Sequence, residues 1–410
     1  MSLTPLEEVQ AAVLRQCPPL TPRAEDLQDA LGCVTSTALE AEELVPPFDN
    51  TAMDGFAVQA ADTADPPVEL KIVGTLAAGA APELRVGGGE AVRIMTGAPM
   101  PPGADAVVMV ERTRTEGDVV VVEDRASAGD HIRRAGDDLK PGDVVVDAGT
   151  VLTPAHLGVL ASLGYQRVPV FPRPRVGVLS TGDELVAGAS VLRVGQIRDS
   201  NRPTLLALVR QSGFEPVDLG LAPDDEAAIA DAVERGLATC DALVTSGGVS
   251  VGDFDYVKTV LDRLGSMRSW QVAIKPAKPL AFGTVRGKPV FGLPGNPVSS
   301  MVSFELFAGP ALRQMGGHRR LFRPQVRATV AEPIRRRPDG KLHLVRVVAV
   351  AGEDPSGDWR VRPVDGQGSH QLAAAAAANA LALVPDGEGA AAGSSVSVLL
   401  LSGAVGGDPC

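Results

Sequence analysis

Between residues 171 and 318 short apolar runs alternate with amphipathic stretches, and this alternation narrows the possible folds more than any other feature of the chain. The apolar runs are RVGVLSTGDE, FEPVDLG, DALVTSGG, LAFGTV and KPVFGLPG. Helical patterns separate or follow them, near 202 to 211, in DDEAAIADAVERGLA, in DYVKTVLDRLG, and from Pro297 to about Met315. Parallel strands buried on both faces read as unbroken hydrophobicity and need crossover helices between them. The pattern therefore predicts a doubly wound, mostly parallel sheet, in which ligands sit beyond the carboxyl ends of the strands.

The flanking sequence has a different texture. Residues 44 to 139 consist of short Val-rich runs (VELKIVGTL, EAVRIMTG, ADAVVMVE, DVVVVE) broken by Gly, Pro and Asp, as in a small all-β module. On either side the pattern is helical: TPLEEVQAAVLRQC and TPRAEDLQDALG before the module, with capping signals at Thr4, Glu7, Thr21 and Pro22, and TPAHLGVLASLG after it. A β module inserted into a helical segment formed by 1–43 and 140–170 accounts for this order. Residues 319–410 lack helical period apart from an alanine tract and predict a C-terminal β-barrel. The expected fold is thus an α/β multidomain protein with the doubly wound domain at 171–318. With aromatics at 3% of the chain, its cores must be built from Val, Leu and Ala.

Charge excludes one class of function. There are 38 Lys plus Arg against 50 Asp plus Glu, a net charge of −12, so a general nucleic-acid-binding face is not expected. No apolar run reaches the roughly 18 residues that cross a bilayer, so no membrane association is expected. The first residues, MSLTPLEEVQ, do not read as a targeting signal, which points to the cytoplasm. Cys17, Cys33, Cys240 and Cys410 are far apart and form no C-x-x-C pair, in keeping with reduced thiols. The five histidines are equally scattered, so a bound metal is expected to take oxygen ligands.

The strand ends of the doubly wound domain concentrate Gly, Ser, Thr and carboxylates: Ser180 to Glu184, Pro223 to Asp225, and SGGVSVGDFD from Ser246, with Gly247, Gly248 and Ser250. Glycines there let backbone N–H groups approach a phosphate. Glu184, Asp224 and Asp255 beside such an anion make sense if a divalent cation such as Mg²⁺ lies between them. Each also has a plainer reading. Asp224 stands where the helix DDEAAIADAVERG needs an N-cap, and its local sequence favours that role; Asp255 can cap DYVKTVLDRLG, and Glu184 can be an ordinary loop carboxylate. Their shared location is what raises all three. In WQVAIKPAKP, Lys275 and Lys278 each precede a proline and are held on an extended segment, a pattern suited to an oxyanion although common in surface turns. LPGNPVSS is a tight turn entering a helix that carries Ser299, whose default role is a solvated hydroxyl. Asp54 and Thr96 lie in FDNTAMDGFAV and RIMTGAPMPPGADAVV, strings longer than hairpin turns require.

These strings, with STGDEL, SGGVSVGDFDY, IKPAKP, LPGNPVS and GQGSH in this order, resemble the molybdopterin molybdenumtransferases, the family that includes the E domain of gephyrin. The resemblance covers nearly the whole chain. It implies insertion of molybdate, as substrate, into adenylylated molybdopterin, with Mg²⁺ required, AMP released and molybdenum cofactor formed. It implies a homodimer whose site lies between protomers, Asp54 and Thr96 coming from the partner chain while Glu184, Asp224, Asp255 and Lys275 line the cleft. Lys275, Lys278, Ser299, Arg346 in HLVRV and Ser369 in GQGSH match positions associated with molybdate or the pterin-bound phosphate.

The chain departs from the pattern at Gln271, where many relatives have lysine, and at Ala277, where KPGKP is usual. A lost cation weakens anion binding, and Ala allows less backbone freedom than Gly. Three other functions fit the sequence less well. A non-catalytic carrier of molybdopterin or nucleotide is disfavoured by the intact set Asp54, Asp224, Asp255 and Lys275. A scaffold is disfavoured because no fused domain or long linker is visible. A nucleotide-cleaving hydrolase is disfavoured by the inserted module and the terminal domain.

Overall fold

The computed structural model describes residues 3–247, 256–352 and 358–401. The chain divides into two compact units, one formed by residues 1–25, 32–36 and 169–410 and the other by 26–31 and 37–168.

At the centre of the first unit is a six-stranded sheet, in the spatial order Glu215–Ala222, Arg175–Thr181, Ala242–Ser246, Lys288–Leu293, Pro279–Val285, Ser266–Gln271. The first four strands are parallel, with Ser180 beside Ser246 and Ser246 beside Leu293. The last two are antiparallel, with Phe282 opposite Phe291. The helices Asn201–Gln211, Glu226–Thr239 and Tyr256–Leu264 make the crossovers, as the alternation predicted. Val176, Val178, Val244 and Phe291 pack on one face of the sheet, and Leu179, Leu243, Ala281 and Val290 on the other. Burial of both faces explains why these strands read as continuous apolar runs; each fully buried Val or Leu contributes about 1.5–3 kcal/mol.

Residues 325–400 form the predicted barrel. Leu342–Ala351, Trp359–Pro363, Gln325–Val330, Ser395–Leu400 and Ala380–Val384 are joined edge to edge, and the last pairs back onto the first to close the ring. The short strand Ile274–Lys275 adds to this barrel in parallel, with Ile274 beside Leu342 and Lys275 beside His343. The first helix, Leu6–Leu14, buries Leu6, Val9 and Val13 in the core that also holds Trp270 and Phe304.

The second unit contains a six-stranded, mostly antiparallel sheet in the order Ala106–Met109, Gly55–Val58, Glu90–Ile94, Val68–Leu76, Val119–Val122, Thr113–Glu116. Helix Pro154–Ser162 forms where expected, with a capping box between Thr153 and His156. The stretch TPRAEDLQDALG differs from expectation. Arg23–Asp26 is a strand and Leu27–Asp29 a single 3-10 turn, because Leu27 donates its N–H to the Gln166 carbonyl 2.8 Å away and tertiary pairing overrides a weak helical preference.

Candidate functional site

From Arg175–Thr181 the chain passes to Glu215–Ala222 on one side and then to Ala242–Ser246 on the other, so the topological switch point lies between Thr181 and Ser246. Gly247 makes their close approach possible. Its φ is +99°, and a Cβ there would lie 2.7 Å from the Thr181 carbonyl oxygen, so any side chain would have to displace backbone. The crevice is a pocket of about 330 Å³ lined by Thr181, Glu184, Asn201, Ser246 and Gly247, among others. Asn201 Nδ2 donates to Ser246 Oγ at 2.8 Å and to the Gly295 carbonyl at 2.6 Å. Thr181 Oγ1 and Asn201 Oδ1 are buried without a partner, and such polar atoms in a crevice call for a ligand or water.

Local geometry settles which aspartate caps the helix. Asp225 is extended (φ −131°, ψ 127°), and its side chain accepts the Ala228 N–H at 2.8 Å; the cap is therefore Asp225 and not Asp224. Asp224 is freed for other contacts. Its N–H donates to Asp183 Oδ1 at 3.0 Å, and the Asp183 N–H donates to Asp224 Oδ2 at 3.3 Å, which brings Asp183, missed by the sequence reading, beside Asp224 and next to Glu184. Asp255, Gly248 and Ser250 lie outside the described residues. Among the described residues no group of three or more His, Cys, Asp or Glu could hold a metal unaided. The donors present are all carboxylate oxygens, however, and Mg²⁺ needs only one or two of these when water and substrate phosphates complete its shell. The set fits an ion shared with substrate.

Four of the predicted anion ligands meet in one place. Lys275, Lys278, Ser299 and Ser369 line a pocket of about 370 Å³, together with Lys341, Asp339 and Gln367. The Val298 N–H donates to the Ser369 carbonyl at 3.1 Å and ties the helix carrying Ser299 to the loop carrying Ser369. Asn296 and Pro297, just before Ser299, and His370, just after Ser369, line the switch-point crevice, so the same two segments wall both pockets. A neighbouring pocket of about 380 Å³ shares Lys275, Pro276, Asp339 and Gln367 and adds Arg335, Arg337 and His343. Lys341, Arg335 and Arg337 lie in RRRPDGK, a string that reads as an ordinary charged turn. Gln271 lines neither pocket; it ends its strand opposite Pro279, and its carbonyl accepts the Thr4 N–H at 2.8 Å. Ala277 adopts φ +70°, a left-handed conformation suited to glycine.

Arg346 stands apart. It is 2% exposed, and Nη2 donates to the Gly366 carbonyl at 2.5 Å and to the Gly368 carbonyl at 3.1 Å, bracing the GQGSH loop. It lines a different, largely apolar pocket of about 230 Å³ that includes Val302 and Leu381. Strand alternation puts it on the opposite face from His343. Burial pushes the guanidinium pKa down, and Nε and Nη1 have no partner. The loop is pinned further by Gln367, whose Oε1 accepts the Arg346 N–H and whose Nε2 donates to the Arg346 carbonyl, both at 3.0 Å.

In the other unit, Asp54 and Thr96 meet as a pair. Both the N–H and the Oγ1 of Thr96 donate to Asp54 Oδ1 at 2.7 Å, and these bonds hold the exposed carboxyl below the usual carboxylate range.

Three family descriptions match consecutive parts of the chain: the MoeA N-terminal region (domains I and II) over 4–164, a probable molybdopterin binding domain over 177–314, and the MoeA C-terminal region (domain IV) over 327–401. A molybdopterin molybdenumtransferase of Haemophilus influenzae is 37% identical, covering 96% of this chain and 97% of that protein. Molybdopterin molybdenumtransferase 2 of Mycobacterium tuberculosis is 41% identical over 83% of this chain and 86% of its own. The crystal structure of a molybdopterin biosynthesis MoeA protein from Pyrococcus horikoshii superposes with a TM-score of 0.78 at 30% identity, covering 98% of this chain and all of that one. On these matches, which together span nearly the whole chain, the chain belongs to the molybdopterin molybdenumtransferase (MoeA) family.

Proposed function

We propose that this protein inserts molybdate into adenylylated molybdopterin, releasing AMP and yielding molybdenum cofactor. The observation that carries this reading is the convergence of Lys275, Lys278, Ser299 and Ser369 in one pocket that shares its walls with the carboxylate-bearing switch-point crevice. Two ammonium groups and two hydroxyls supply charge-assisted hydrogen bonds for a tetrahedral dianion. The crevice, with the unpartnered Thr181 Oγ1 and Asn201 Oδ1, receives the adenylate's phosphates. Asp224 and Glu184, with Asp255 added by its motif, would hold Mg²⁺, and the ion would supply charge neutralisation for the leaving phosphate. The chain needs no nucleophile of its own, because the substrate's dithiolene sulfurs receive the molybdenum; the protein holds the two reactants side by side. Arg346 acts from beneath, by fixing the loop that presents Ser369.

The functional unit in this reading is a homodimer, dimerised through the segments 1–43 and 140–170, with Asp54 and Thr96 of one protomer facing the crevice of its partner. Exposed Phe48 and Met53, close to Asp54 in sequence, support an apolar contact there. A cytoplasmic setting agrees with the buried thiols of Cys17, Cys33 and Cys240, none of which is in a disulfide.

The test is AMP release from adenylylated molybdopterin and Mg²⁺, with and without molybdate. Release that depends on molybdate, with molybdenum retained on the pterin, is expected; binding of the adenylate without AMP release in either condition would leave only a carrier. Mixing Asp54→Ala chains with Lys275→Ala chains tests the shared site. Random pairing makes half the dimers mixed, each with one intact site of two, so about a quarter of the activity returns if the site is shared and none if it is not.

A further inference from the structure

One carboxylate lines the cationic pocket, and its surroundings are unusual. Asp339 Oδ1 receives Arg336 Nη2 at 2.8 Å and His343 Nε2 at 3.1 Å. Its Oδ2 receives Lys341 Nζ at 3.1 Å and His343 Nε2 at 3.2 Å. A carboxylate offers about four lone-pair sites, so both oxygens are filled by the protein's own donors. Because an ionised carboxylate only accepts, the proton of the imidazole sits on Nε2. Arg336 is itself immobilised, 2% exposed at the side chain and bonded to the carbonyls of Lys341, Val384 and Pro385. Burial alone would raise the Asp339 pKa; the bonds from His343 and Lys341, with their charges, outweigh it and hold the group at about 2.

Three other acceptors in this wall each hold a donor already. Gln367 Oε1 takes the Arg346 N–H, the Gly368 carbonyl takes Arg346 Nη2, and the Ser369 carbonyl takes the Val298 N–H. What remains facing the pocket, among the described residues, is three ammonium groups, of Lys275, Lys278 and Lys341, and the hydroxyls of Ser299 and Ser369, which donate to an anion and accept only as neutral groups. Molybdate, tungstate and sulfate carry no proton at neutral pH and need only donors. Inorganic phosphate and arsenate carry one or two protons, each of which needs an acceptor, and a free carboxylate would be the strongest one.

We propose that the Arg336–Asp339–Lys341–His343 cluster is the selectivity element of the oxyanion pocket, occupying the one charged acceptor among the described residues of its wall so that the pocket favours fully ionised tetrahedral dianions over protonated ones. The inference rests on the reading of this pocket as the molybdate site and adds what that reading lacks, a basis for disfavouring phosphate, which has the same shape. His343 is the residue that spans both oxygens. Its removal frees a lone pair on each while leaving the ammonium groups in place.

The experiment is equilibrium dialysis of molybdate, sulfate and phosphate, separately, against the full-length protein and its variants. The unaltered protein should bind molybdate and sulfate about tenfold more tightly than phosphate, whose proton finds at best a neutral acceptor in place of a charged one. In His343→Leu the preference should narrow about tenfold, through tighter phosphate binding and with no gain for sulfate. Lys341→Met frees Oδ2 alone and should narrow the same ratio, although it weakens every anion; it serves if the first variant does not fold. Equal gains for sulfate and phosphate, or an unchanged ratio in a folded variant, overturn the proposal. Lys275→Ala separates the two levels: if molybdate binding survives it, the pocket reading fails and the selectivity element with it, whereas lost molybdate binding with an unchanged ratio in His343→Leu refutes the selectivity element alone.

Discussion

Asp224 and Asp225 are adjacent, identical in chemistry and expected to fail in opposite ways when truncated. Asp225 accepts the Ala228 N–H at 2.8 Å at the start of helix Glu226–Thr239, whose Ile229, Ala232, Val233 and Leu237 pack against the sheet. Removing such a cap costs about 1 kcal/mol, which in a domain of this size lowers Tm by about 2–4 °C. Asp224 makes only the 3.3 Å bond from the Asp183 N–H with its side chain, and its removal also relieves repulsion from the neighbouring carboxylate. Asp224→Ala should therefore leave stability within about 0.5 kcal/mol, as for most substitutions that break no buried contact. Activity should divide the other way. AMP release should fall on the order of 100-fold or more in Asp224→Ala, the usual loss when a group acting on developing charge is removed, and stay within a few-fold in Asp225→Ala. Urea denaturation with AMP release, on the same preparations, reads both. If Asp224→Ala destabilises the domain and Asp225→Ala abolishes turnover, the assignment of cap and site is reversed and the reasoning from helix geometry is wrong.

Three further outcomes are expected. Ala277→Gly relieves a left-handed alanine worth about 1–2 kcal/mol but forfeits a buried methyl and restricts a freer residue, about 0.8 and 0.5–1 kcal/mol, so Tm should hardly move; a shift beyond about 5 °C in either direction would contradict this. Asp339 has a depressed pKa, so its contribution is present above the unfolded value near 3.8 and lost as pH falls through about 2. Screened by solvent it amounts to about 1–2 kcal/mol, and Asp339→Asn should flatten the acid limb of the pH–stability curve in that window. Cys17 is buried, with its thiol pushed up to about 12, and should resist a disulfide reagent in the native protein; rapid labelling would mean that the core around the first helix opens.

The sheet was legible because both of its faces are buried, so its apolar runs are continuous and the helices between them amphipathic. The barrel was legible as β structure from the loss of helical period. What sequence left open depends on tertiary pairing or on one dihedral angle. Arg23–Asp26 carries helical signals, yet it is a strand next to a segment anchored by the Leu27–Gln166 bond. Either of two neighbouring aspartates satisfies the cap pattern, and only the extended backbone of Asp225 decides between them. Lys275, Lys278, Ser299 and Ser369 were each found by motif, and the structure adds their meeting in one pocket. Arg346 shows the converse: a motif gives the residue type, while strand parity turned its guanidinium beneath the loop. Asp339 was illegible, since PDGK between charged residues looks like any solvated turn, and nothing in the string says that Arg336 and His343, three and four residues away, both turn onto its carboxylate.

Whole-chain charge and local charge answer different questions here. A net charge of −12 excludes a surface that holds a polyanion, because contacts with nucleic acid extend over many phosphates and need a broad basic face. A small dianion needs only a few cations within a Debye length of about 8–10 Å, and beyond that distance the acidic remainder of the chain is screened from it. Lys275, Lys278 and Lys341 satisfy that condition in one pocket, with Arg335 and Arg337 in the next. The prolines after Lys275 and Lys278 fix the backbone that presents these amines, so less freedom is lost when an anion binds. Local concentration of fixed cations is what allows an acidic protein to hold a small oxyanion, because the acidic remainder is screened from it beyond the Debye length.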